Sequence, residues 1–279
     1  MHTTLVSVET LASHLDDPNW LIVDCRFDLA NPAAGEAAFA TSHIPGAIYA
    51  HLDRDLAGPV TPETGRHPLP EPEDFAGTLS RWGVTPTTQV VAYDADVGMY
   101  AARLWWMLRW VGHERAAVLD GGFKAWTAAG LPTSSEITMR NPSTFVARPN
   151  RDLWVDADEL AQRVRDPDWR VLDARAPERF RGEVEPIDSV AGHVPGARNH
   201  PFALNIVDGR FAAADELRRR LDASQNGVPD ERTIAMCGSG VTACHLLLAM
   251  EIAGKRGARL YPGSWSEWIR DPSRPIARG

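Results

Sequence analysis

Cys237 heads the segment Cys237-Gly238-Ser239-Gly240-Val241-Thr242-Ala243, which separates two apolar runs, Thr233-Ile234-Ala235-Met236 and Ala243 to Ala253. The first run reads as a strand and the second as a helix. A strand that ends in cysteine and turns through two glycines into a helix places successive backbone N–H groups around one point. The helix start adds partial positive charge there. Both effects favour a thiolate, so the expected chemistry is nucleophilic attack by sulfur. The competing reading of a free cysteine is a small buried hydrophobe. Cys25, inside Leu21-Ile22-Val23-Asp24-Cys25, and Cys244, on the apolar helix, are read that way.

Composition narrows the function classes. The chain has 279 residues, 44% hydrophobic and 24% charged, which suits a soluble protein of two domains. Its formal charge of −8 argues against nucleic acid or an anionic membrane as partner. No stretch approaches the roughly 18 apolar residues of a membrane-crossing helix. Met1-His2-Thr3-Thr4-Leu5-Val6 lacks the pattern of a secretory signal. Three cysteines do not make a disulfide framework, and a reducing, cytoplasmic setting is expected. The nine histidines and three cysteines show no paired ligand spacing, so neither a metal nor another cofactor is expected. Trp105, Trp106 and Trp110 share one apolar run and read as packing residues.

The chain repeats itself. Leu21–Arg26 matches Arg170–Arg175 around Asp24 and Asp173, 149 positions apart. His43-Ile44-Pro45-Gly46-Ala47 matches His193-Val194-Pro195-Gly196-Ala197 at 150. Val90-Val91-Ala92-Tyr93-Asp94 matches Thr233-Ile234-Ala235-Met236-Cys237 at 143. Short apolar strands alternate with amphipathic helices in each half. The expectation is an α/β protein of two similar domains, each a mainly parallel sheet flanked by helices. The domains are expected at 1–135 and 152–279, with 136–151 a polar, proline-containing linker on the surface. Asp94 stands where Cys237 stands in the other half, so the first domain is read as non-catalytic, supplying one wall of a cleft.

The doubled unit, the His-Ile/Val-Pro-Gly-Ala signature in each half and a single cysteine loop in the second half resemble the tandem rhodanese family over nearly the whole chain. The loop is similar to that of its 3-mercaptopyruvate sulfurtransferase branch. The resemblance implies two rhodanese-like domains and a double displacement. Cys237 takes sulfur from a donor, holds it as a persulfide in the N–H groups of Gly238, Gly240, Val241, Thr242 and Ala243, and passes it to an acceptor. That acceptor would be thioredoxin, a small thiol or cyanide. Ser239 would supply a proton or hydrogen bond to the departing enolate. The arginine just before Gly182, Arg181, would face the substrate anion, with Arg179 and Arg175 as lesser candidates.

The chain also departs from that pattern. Thiosulfate-using relatives carry basic residues directly after the cysteine, whereas Gly238 and Ser239 leave the loop rim uncharged, which favours 3-mercaptopyruvate. The second substrate arginine of the mercaptopyruvate enzymes is replaced by Ile187. An Asp–His–Ser relay would draw on His43, with Asp28 or Glu36 as the acid; the alternative for His43, repeated as His193, is structural. Two further readings remain: a thiosulfate:cyanide sulfurtransferase, and a persulfide carrier or binding module. A cysteine phosphatase is disfavoured, because Ala243 stands where its phosphate-gripping arginine is needed.

Overall fold

The computed structural model describes residues 1–279. The chain divides into two compact units, and neither is one continuous stretch. The first comprises Met1–Gly58, Pro70–Asn150 and Asp208–Phe211; the second comprises Pro59–Leu69, Arg151–Val207 and Ala212–Gly279. The boundaries expected from the repeat treat each half as uninterrupted. The two exchanged loops are rich in turn residues and carry no apolar period, so the repeat does not register them. Residues 136–150 belong to the first unit and Arg151 to the second. Arg140 donates to the carbonyls of Trp20 and Pro18 at 3.0 and 2.9 Å, and Ser143 Oγ to that of Val84 at 2.6 Å.

The first unit is built on a five-stranded parallel sheet in the order Leu5–Val6, Ala116–Leu119, Gln89–Tyr93, Trp20–Asp24, Ile48–Tyr49. The second has four parallel strands in the order Arg259–Leu260, Thr233–Met236, Arg170–Asp173, Arg198–Asn199. A fifth position survives there as a single bridge from Trp154 to Leu260. Helices cover both faces, which explains why the central strands are unbroken apolar runs rather than alternating ones. Every residue of Gln89–Tyr93 and of Thr233–Met236 is buried. The helix Thr242–Ile252 is buried from Ala243 to Met250, so it is a central helix apolar on all sides. Trp105, Trp106 and Trp110 are buried on the helix Ala101–Trp110, and Trp105 Nε1 donates to Thr3 O at 2.8 Å. No helix is long and apolar enough to cross a membrane.

The repeat extends to side-chain detail. At the end of one strand Arg26 grips Asp24 with Nε and Nη2 and donates to Ser42 O. In the other unit Arg175 grips Asp173 and donates to Gly192 O in the same way. His43 stacks on Phe39 at 3.9 Å and bonds its carbonyl, as His193 does with Phe180 at 3.8 Å. These paired features brace the connection that leads into each Pro-Gly turn.

Candidate active site

Cys237 follows the last residue of the strand Thr233–Met236, which pairs with Arg170–Asp173. The chain then turns through Gly238-Ser239-Gly240 into the helix Thr242–Ile252. Gly240 has φ +78° and must be glycine, because a Cβ there would lie 2.4 Å from Pro262 O. Its N–H donates to Cys237 Sγ at 3.2 Å. Three backbone groups of the loop are tied to Ser264–Ser266. Cys237 N donates to Ser264 Oγ at 3.0 Å, Cys237 O accepts from Trp265 N at 3.0 Å, and Gly238 O accepts from Ser266 N at 2.9 Å. The buried Ser264 holds φ +53°, a strained conformation for a serine, and its hydroxyl accepts from the amide of Cys237.

The corresponding loop of the first unit shows what this geometry binds. Asp94 ends the strand position there, and its carboxylate accepts N–H bonds from Gly98 at 2.9 Å, Tyr100 at 2.7 Å and Ala101 at 3.2 Å. Burial pushes this carboxyl above its ordinary value, and those N–H bonds pull it back down. The loop's own carboxylate fills the N–H cradle there.

His67 and Arg66, which sequence reasoning missed, complete the second unit's site. The stretch Pro59–Leu69 precedes a helix of the first unit in chain order, Pro72–Arg81, yet packs within the second. Gly65 permits this, since a Cβ there would meet Gly263 O at 2.5 Å and Ser266 Oγ at 2.8 Å. Arg66 N then donates to Ser266 Oγ at 3.1 Å. His67 Nδ1 lies 2.7 Å from Ser239 Oγ, with both residues buried. The Arg66 guanidinium pairs with Asp188, and its Nη2 would stand 3.0 Å from a Cβ on Gly238. A sequence signal for this segment exists. The repeat offset falls from 150 at His43 to 143 at Asp94, so the first half holds extra residues between those landmarks, where Arg66 and His67 lie.

The arginine assignments change. Arg179, not Arg181, is the member of its segment that reaches the loop. Its guanidinium nitrogens would lie 3.7 Å from a Cβ on Gly238, and it bonds Glu185 at 2.7 Å and Asp188 at 3.2 Å. Arg181 is exposed, its guanidinium paired with Glu183 at 2.7 Å. Residues two apart on a helical turn do not share a face, and Phe180 between them is buried in the core. Arg175 is the brace on Asp173 described above. The loop rim is therefore cationic, though none of the charge comes from the loop itself.

Ser239 belongs to the second unit, and His43 makes its hydrogen bonds elsewhere. It lies in the first unit with its ring nitrogens on Phe39 O at 2.7 Å and Glu136 O at 3.0 Å, the structural role that His193 also has. Asp28 and Glu36 are engaged there too, on Ala30 N and Arg54. None of the three cysteines forms a disulfide. Burial first, then the Asp24 carboxylate, push the Cys25 thiol well above its ordinary value, and Cys244 Sγ donates to Gly240 O at 3.1 Å.

Comparison with known proteins matches this architecture. The sequence profile of the rhodanese-like domain fits residues 7–129 and again 156–271. The chain belongs to the rhodanese-like domain family. It is 48% identical to a probable 3-mercaptopyruvate sulfurtransferase of Pseudomonas aeruginosa, over 99% of this chain and 98% of that one. It is 38% identical to a putative thiosulfate sulfurtransferase, SseB, of Mycobacterium tuberculosis, over 92% and 90% of the two chains. The crystal structure of SseA, a 3-mercaptopyruvate sulfotransferase of Escherichia coli, superposes with a TM-score of 0.83 at 31% identity, over 95% of this chain and all of that one.

Within this rhodanese loop, Gly240 carries the heaviest backbone constraint. Gly240→Ala is expected to cost about 1–2 kcal/mol from its left-handed conformation alone, and the clash with Pro262 O adds to it. Thermal denaturation should show a lower midpoint than wild type. An unchanged midpoint would mean that the loop relaxes without cost.

Proposed function

We propose that this sulfurtransferase moves sulfur from 3-mercaptopyruvate through a persulfide on Cys237 to an acceptor thiol. The observation that carries the choice of donor is the pair Ser239 Oγ and His67 Nδ1, 2.7 Å apart, beside the nucleophile's loop. The Cys237 thiolate attacks the donor sulfur, and the carbon–sulfur bond breaks with its electron pair left on carbon as the pyruvate enolate. That carbon needs a proton, and the donor thiol has one to lose. Ser239 and His67 form a route by which the thiol proton reaches the enolate carbon, so pyruvate leaves and the persulfide stays.

The first unit supports the persulfide step. An Asp side chain places its oxygens two bonds beyond Cβ, and a cysteine persulfide places its outer sulfur there too. Gly98 and Gly240 hold matching left-handed conformations, φ +81° and +78°, and on that match the N–H groups that hold the Asp94 carboxylate, from Gly98, Tyr100 and Ala101, pair with those of Gly240, Thr242 and Ala243. Together with Gly238 and Val241 these form the proposed cradle, reinforced by the helix start, whose first N–H groups have no intrahelical acceptor. Thioredoxin, a small thiol or cyanide would take the outer sulfur in the second step, in a cytoplasmic setting.

Thiosulfate is the second reading. The guanidinium groups of Arg66 and Arg179 beside Gly238 give the rim the positive charge that a compact dianion needs. Single-turnover persulfidation with each donor separates the two. A larger second-order constant for 3-mercaptopyruvate is the expected result, and a larger one for thiosulfate overturns the first reading. In the same assay Arg179→Gln should lower the constant by about one to two decades, the worth of a charge-assisted hydrogen bond. Arg181→Ala should leave it unchanged, and equal losses in both variants would return Arg181 to the site.

A further inference from the structure

Three arginines and three carboxylates crowd the approach to Gly238: Arg66, Arg175 and Arg179 with Asp173, Glu185 and Asp188. They are layered. The side chains of Asp188 and Glu185 are 4% and 3% exposed, whereas those of Arg66 and Arg179 are 24% and 17% exposed. The carboxylates lie underneath and the guanidinium groups form the accessible surface. One carboxylate, Asp188, already binds both arginines, Oδ1 to Arg66 and Oδ2 to Arg179 Nη2 at 3.2 Å. The pair is thus spaced to receive a planar anion. Arg66 Nε is a buried donor with no acceptor, an arrangement that costs stability unless a ligand completes it.

We propose that Arg66 is a donor-binding residue of this enzyme, which with Arg179 receives the anionic group of the sulfur donor beside Gly238. The inference rests on the sulfur-transfer reading but not on which donor is used. Burial lowers the Arg66 pKa, and the nearby Cys237 sulfur and Glu185 oppose that shift. Glycine at 238 follows from the same geometry, since a side chain there would enter the space that the two guanidinium groups occupy. The six groups balance in formal charge, so the cluster gives little long-range attraction; it offers forked N–H donors at short range.

The test is single-turnover persulfidation of wild type, Arg66→Gln and Arg66→Lys with 3-mercaptopyruvate and with thiosulfate, alongside alkylation of Cys237 by neutral iodoacetamide. Asp188 keeps Arg179 as a partner in both variants, and iodoacetamide reports whether the loop and its thiolate stay intact. Arg66→Gln is expected to slow every anionic donor that wild type uses by about tenfold to a hundredfold, with iodoacetamide within about twofold of wild type. Arg66→Lys, which keeps the charge and loses the fork, should recover only part of the loss. The proposal is overturned if no anionic donor is slowed, if iodoacetamide slows as much as the donors do, or if lysine restores wild-type rates. A wild type that accepts thiosulfate and not 3-mercaptopyruvate defeats the donor reading alone, because the role of Arg66 is then decided on thiosulfate.

Discussion

Cys237→Ser is expected to abolish sulfur transfer, with a fall of at least about four orders of magnitude with any donor. Serine is nearly isosteric, and its hydroxyl can accept the Gly240 N–H that now reaches sulfur at 3.2 Å. The three bonds between Ser264–Ser266 and the loop engage only backbone atoms of Cys237 and Gly238, so they do not depend on the side chain at 237. The variant should therefore fold with an unchanged circular dichroism spectrum and melting midpoint. What it cannot do is form a sulfur–sulfur bond. Mass spectrometry after exposure to donor should show wild type gaining the mass of one sulfur on Cys237, and the variant gaining nothing. Cys25 and Cys244 offer no substitute, because both are buried and Cys25 is held in its neutral form. Substantial turnover by Cys237→Ser would mean that sulfur passes by another route.

His67→Gln is expected to separate the two donors. Persulfidation by 3-mercaptopyruvate should fall by about two to three orders of magnitude, the usual worth of a positioned proton-transfer group. Persulfidation by thiosulfate should change little, since sulfite leaves as a stable anion and no carbon waits for a proton. Glutamine can still hydrogen-bond Ser239, so the loop keeps its shape while the relay loses its titratable member. A flattened pH profile with 3-mercaptopyruvate should accompany the loss. An equal fall with both donors would make His67 a support of the loop and not a proton carrier, and no fall at all would remove the Ser239–His67 pair from the mechanism.

The contrast between Cys237 and His67 explains what the sequence could show. The surroundings of Cys237 are local: strand, two glycines and helix are contiguous from Thr233 to Ile252, and each signals itself by apolar period or backbone freedom. The parallel sheets were legible for the same reason, through buried runs such as Gln89–Tyr93. The partner of Ser239 lies 172 positions away, in a stretch of proline, threonine and glycine with no period to read. His43 was attractive because it sits in a signature, yet that signature braces a turn, as its duplicate His193 shows. Arg181 and Arg179 differ by two positions, and only the fold reveals which of them shares a face with the loop. Rim charge was misread because Gly238 and Ser239 bring none, while residues distant in sequence deliver it.

The placement of Pro59–Leu69 bears on how such a gene can be divided. A fragment starting at Arg151 would inherit Cys237, Gly238, Ser239, Gly240 and Arg179. It would leave behind Gly65, Arg66 and His67, encoded in the half that has aspartate for a nucleophile. The copy without a thiol therefore cannot be discarded as a passenger, because the other copy borrows eleven residues from it, and neither half is a self-sufficient module for recombination or design.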